Sequence, residues 1–178
     1  MEIKNDSQHY GIVEKILHWL MALLIILMLS VSFFFDDFSK TTKSTLIGTH
    51  KLIGMSIFLL AIIFLIWKKI NIKPAFPENM PRWQTFLARF VHHLLMLAII
   101  IMPLAGWIMS TAAGKPPKIG TIALNFPGIP LDKTLSGFCW NIHLIVAWLL
   151  IGLISLHVLG ALKHALIDKD GILRRMGF

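Results

Sequence analysis

Charge and cysteine are both scarce in this chain. Asp, Glu, Lys and Arg supply only 15% of its 178 residues, against about 25% in a soluble domain. A soluble fold is therefore disfavoured before any segment is marked. One cysteine, Cys139, excludes an internal disulfide. With no CxxC or CxxCH, neither an iron–sulfur cluster nor a covalently attached c-type haem is indicated. Cys139 reads as a small residue at a membrane boundary rather than as a sulfur ligand. Acidic residues are the scarcer sign, 9 Asp+Glu against 17 Lys+Arg, for a net charge of +8. The basic residues flank apolar runs, so the excess does not point to nucleic acid. A cleavable leader is also not expected. The first apolar run, from about Ile12 to Phe35, is too long for a signal-peptide core and has no small-residue cleavage site after it.

Apolar residues are abundant, at 56% of the chain, with a mean hydropathy of +0.74. They fall in four runs, at about residues 14–35, 47–67, 89–110 and 139–164. Each is long enough for a helix to cross a hydrocarbon core of about 30 Å. The expected fold is all-α, an integral membrane four-helix bundle forming one domain over 1–178. Residues 70–88 read as a connector with Pro74, Pro77 and Pro81, in which WQTFLARF is a candidate interfacial helix. Residues 111–138 read as a Gly/Pro-rich loop. Pro103 removes a hydrogen bond deep in the third run, and Gly106 permits close backbone approach. The pair either makes room for a macrocycle or marks an ordinary kink.

Eleven basic residues lie on the side of the termini and of the middle connector. They are Lys4, Lys15, Lys68, Lys69, Lys73, Arg82, Arg89, Lys163, Lys169, Arg174 and Arg175. Six lie on the other side: Lys40, Lys43, Lys51, Lys115, Lys118 and Lys133. The bias predicts both termini in the cytoplasm, with a residual positive outer face near Asp36, Asp37 and Asp132.

Histidines then mark two depths. His143 and His157 are fourteen residues apart in the last run. That spacing rises about 21 Å and makes nearly four turns, so both rings point to one side. His18 lies near the inner end of the first run, and His50 near the outer start of the second. Equal depth pairs His18 with His157 and His50 with His143. A zinc or non-haem iron site needs ligands converging on one point, which a 21 Å spread prevents. Two stacked haems with bis-histidine ligation fit, and closed coordination suits electron transfer. His92 and His93 begin the third run at the inner side and compete with His18 for the inner iron, or face a propionate or quinone. His164 is a candidate donor to a quinone carbonyl or a propionate at the inner surface. His9 reads as an exposed tail residue. Lys51, Lys115 and Lys118 are candidates to attract an anion toward the outer site.

The stretches ILHWLMALL around His18, HKLIGMSI from His50 and HHLLMLAIIIMPLAGW, with His143 and His157, resemble the bacterial cytochrome b561 family. The resemblance covers nearly the whole chain. It implies a stand-alone di-haem cytochrome of the bacterial inner membrane, with two haem b groups ligated by His18, His50, His143 and His157. The family's quinone-side histidine falls on His164. Some members look like superoxide oxidases, passing an electron from periplasmic superoxide to ubiquinone. Members often carry an arginine on the inner half of the second span, where this chain has Phe64; Lys68 is the candidate substitute.

The expected function is electron transfer across the membrane from an outer donor to the quinone pool. The donor is a small anion such as superoxide, or a soluble redox protein. The alternative is a haem-bearing anchor subunit that accepts electrons from a soluble dehydrogenase or hydrogenase. A histidine-lined proton path in a transporter is the third reading, and it predicts a colourless protein.

Overall fold

A computed structural model describes residues 2–77 and 79–177. Four long helices dominate it: α1 (Ile12–Ser32), α2 (Lys40–Ile70), α3 (Arg82–Ala112) and α4 (Lys133–Lys163). The last three have 31 residues each, about 46 Å at 1.5 Å per residue. All four are long and apolar enough to cross a membrane. Packing leaves most of their apolar surface uncovered, since no more than 28% of any spanning window is buried. Leu23, Leu59, Ile145 and Leu159 are each more than 60% exposed. In water such a surface would drive aggregation; in lipid it is the solvent-facing surface.

Helices α2, α3 and α4 overrun the apolar stretches at one or both ends. Ser39 starts α2 by accepting a hydrogen bond from the Thr42 amide at 3.3 Å. The polar KTTKSTL segment is thereby helical outside the apolar run. α3 begins directly after Pro81, so WQTFLARF is its first part and not a separate interfacial helix. A proline at the start of a helix costs no hydrogen bond. Asp132 starts α4, accepting from the Thr134 and Leu135 amides at 2.8 and 3.0 Å. The loop before it adds a short antiparallel hairpin, β1 (Lys118–Ile119) with β2 (Ile122–Ala123), which the all-α expectation did not include. Gly120 turns it with a φ of +59°, a conformation that suits glycine.

Sequential helices pack against each other, α3 against α4 most extensively. Leu17, Met21 and Ile25 of α1 meet Ile57, Ala61 and Phe64 of α2 in one core cluster. Ala98 of α3 packs with Val146 and Leu150 of α4 in a second. α1 and α4 do not pack as a major pair, and space remains between the two halves of the bundle.

The end carrying both termini is tied together by polar contacts. Buried Asn5 donates to the Glu14 carboxylate and to Ile72 O, and accepts from the Gly11 amide at 2.9 Å. Lys15 donates to Gly177 O, Trp19 to Met176 O at 2.9 Å, and Arg175 to Ala75 O. The N-terminal segment, the α2–α3 connector and the C-terminal tail thus close one end of the bundle.

Candidate cofactor sites between the helices

The structure brings the histidines together as two facing pairs and one intruder. His50 and His143 have ring centroids 6.2 Å apart, and His18 and His157 have theirs 6.1 Å apart. A metal–imidazole bond of about 2 Å, with the ring centre about 1 Å further out, separates two trans rings by about 6 Å. Both spacings match. His92 also reaches His157, but at 5.1 Å between centroids, which is short for a metal between them. His93 Nδ1 donates to Arg89 O of its own helix, 2.6 Å away, and the residue is exposed.

The His50–His143 pair, at the end of the bundle away from the termini, borders a cavity of about 440 Å³ to which all four helices contribute. Met102, Pro103 and Gly106 of α3 line it. The sequence left open whether Gly106 makes room for a macrocycle; the atom nearest its missing side chain is in fact the imidazole of His143. A Cβ on Gly106 would lie 3.1 Å from His143 Cε1 and Nδ1. The ring so admitted places Nδ1 3.0 Å from Met102 O. Since a carbonyl only accepts, Nδ1 carries the hydrogen, and in the neutral ring Nε2 keeps its lone pair for a ligand.

His18 and His50 each have a buried Nδ1 with no hydrogen-bond partner among the described residues. Neither ring is therefore tied to a neighbouring helix through Nδ1, as His143 is to Met102. Phe35 packs edge-on to His50 at 5.6 Å, and Trp19 edge-on to His18 at 5.2 Å. At the His50–His143 pair, facing imidazoles and an apolar cavity together fit haem; at the His18–His157 pair the ring spacing fits it.

Charge is arranged differently at the two ends. Lys43, Lys51 and Asp36 line the cavity beside His50 and His143, with Lys43 paired to Asp36 and Lys51 donating to Lys115 O. Of Lys51, Lys115 and Lys118, expected to attract an anion, only Lys51 lines this cavity; Lys43, in the polar turns that extend α2, joins it. Lys118 lies in the exposed hairpin. At the other end, Phe64 is buried and Lys68 places its ammonium 5.0 Å from that ring's centre. Burial and the nearby Glu14 carboxylate push the Tyr10 phenol above its usual range. His9 lies in an exposed turn closed by Asp6, whose carboxyl the Gln8 and His9 amides hold below its ordinary range.

His164 ends α4 and opens a five-residue π-turn, His164–Asp168. Such turns are rare and concentrate at functional sites. Lys169 then adopts φ +51° and Gly171 φ +77°, reversing the chain so that Asp170 folds back. Its carboxylate lies 2.6 Å from His164 Nδ1, and Asp168 lies 3.1 Å from the same nitrogen. Asp170 is itself held by the Ile172 amide at 3.1 Å. Nothing in the apolar periodicity foretold this, although the Lys169-Asp170-Gly171 run carries a turn signal.

Four lipid-facing helices with histidine pairs between them define a membrane cytochrome of the b type, in which non-covalent haem is held by imidazoles. The family model for prokaryotic cytochrome b561 matches residues 9–178, and the chain belongs to that family. It is also similar to cytochrome b561 homolog 2 of Escherichia coli (strain K12), with 27% identity over 187 residues, covering 99% of this chain and 95% of the relative. Haem binding, electron transport and a membrane location follow from the family.

Proposed function

We propose that this chain carries electrons across the bacterial inner membrane from periplasmic superoxide to ubiquinone, through two haem b groups, with both termini in the cytoplasm. The observation that carries this reading is the pair of imidazole couples at metal-spanning distance, set fourteen residues apart on α4. His50 and His143 would hold the outer haem, His18 and His157 the inner. Bound there, haem supplies one-electron chemistry, and two groups divide a separation of about 21 Å into shorter hops.

The protein's own residues do the rest. Lys51, beside a Lys43 offset by its partner Asp36, leaves the rim of the outer cavity net positive, which concentrates a small anion, an effect that salt weakens. Two superoxide anions each give up one electron and leave as O₂. Ubiquinone takes up those two electrons and two protons to become ubiquinol. His164 lies seven residues beyond His157, about 10 Å further along the helix, and is the group we place at the quinone. Asp170 engages Nδ1 whether the ring is neutral or charged, so Nε2 is the nitrogen that exchanges a proton with the quinone. Lys68, above Phe64, takes the place of the arginine on α2 as partner for a propionate or the quinone.

Stopped-flow mixing of the oxidised, haem-loaded protein with superoxide tests the reading. Rapid haem reduction followed by ubiquinone-dependent reoxidation is the expected result. If superoxide fails and a copurifying dehydrogenase reduces the protein readily, the chain is an anchor subunit instead.

A further inference from the structure

We propose that the pocket formed by Lys73, Phe76, Thr85 and Arg89 binds the phosphate of an anionic phospholipid, on the membrane face that carries both termini. The cavity measures about 360 Å³ and lies between the α2–α3 connector and the first turns of α3, with Pro74 and Ala75 completing its wall. The Lys73 ammonium is 5.6 Å and the Arg89 guanidinium 5.5 Å from the centre of the same Phe76 ring. One phenyl platform thus gathers two cations, and among the described residues neither is in a salt bridge. An anion in the pocket that both residues line offsets their charge. Arginine's planar fork matches phosphate oxygens, with lysine as a point charge beside it. Thr85 and Arg89 are four residues apart and share a face of α3.

Depth and surroundings favour a lipid over free phosphate. Arg82 starts α3 seven residues before the apolar run at residue 89. This first part, about 10 Å long, corresponds to the headgroup layer outside the hydrocarbon. Trp83, Phe86 and Phe90 are exposed on a neighbouring face of the same first part of α3, and the last two stack at 6.1 Å. They offer an apolar track that an acyl chain uses and inorganic phosphate does not. The wall is also braced, because Ala75 donates to Ser7 O at 3.2 Å and accepts from Arg175. A basic pocket at this depth is a recognised form of headgroup site.

Native mass spectrometry of the delipidated, haem-loaded full chain tests the proposal. Separate samples receive phosphatidylglycerol, phosphatidylcholine or inorganic phosphate. Preferential retention of phosphatidylglycerol is expected, reduced about fivefold for each cation removed, as in Lys73→Ala and Arg89→Ala. Haem content serves as the folding control. Where an alanine variant loses haem, Lys73→Gln and Arg89→Gln replace it, with the same expected loss. Equal retention of the two lipids, or an unchanged preference in folded variants, overturns the site. Saturation by inorganic phosphate with no lipid preference also overturns it and assigns the pocket to a free anion.

Discussion

His143 and Gly106 share a space that only one side chain can fill: a Cβ at position 106 would come within 3.1 Å of the His143 ring. The hydrogen bond from His143 Nδ1 to Met102 O depends on that vacancy. Gly106→Ala should therefore displace the ring by a few tenths of an ångström and weaken outer-haem retention by about 10- to 100-fold, the usual effect of losing an orienting partner. Gly106→Leu should empty the outer site. Haem titration followed by absorbance should show the inner haem largely spared in both variants.

At the inner site three imidazoles converge, and spacing separates their roles. His18→Ala should empty the inner site, because its ring stands 6.1 Å from that of His157. His92→Ala should retain both haems, because 5.1 Å leaves too little room for a trans pair. Haem content per chain and the reduced-minus-oxidised spectrum of each variant check this. Loss of a haem from His92→Ala, with both kept by His18→Ala, would reverse the assignment.

Asp170 bears on quinone turnover alone. Asp170→Asn keeps an oxygen that accepts from His164 Nδ1, whereas Asp170→Ala leaves only the longer contact to Asp168, at 3.1 Å, to orient the ring. The alanine variant should lose about tenfold or more in kcat/KM for ubiquinone, and the asparagine variant should recover part of that loss. Haem spectra and the rate of haem reduction by superoxide should stay unchanged in both.

The closed end of the bundle rests on Asn5. Asn5→Ala removes the partner of the buried Glu14 carboxylate and of the Gly11 amide. Leaving such groups unsatisfied costs about 1–3 kcal/mol each. Thermal unfolding in detergent should show a lowered midpoint, while both haem bands remain in the folded protein.

Much of this architecture was legible because the membrane imposes its thickness on the chain. The apolar runs, and the two depths at which His18 meets His157 and His50 meets His143, follow from counting residues along helices. What counting misses is how far α2 and α3 continue beyond the hydrocarbon core, since KTTKSTL and RWQTFLA are polar or mixed and helical by capping and packing. It also misses contacts across helices. Gly106 lies 37 residues from His143, and only the packing of α3 on α4 shows which ring the glycine admits. Asp170 reaches His164 through two left-handed residues, a reversal that hydrophobic periodicity does not report.

Haem stoichiometry, combined with the spin state of the iron, tests the central claim most directly. Pyridine haemochrome analysis of the purified, fully loaded protein should give two haem b per chain. Electron paramagnetic resonance should show both as low-spin centres, as expected for iron with two imidazole ligands. One haem per chain, or a high-spin centre with an open coordination position in the intact protein, would contradict the paired-histidine account.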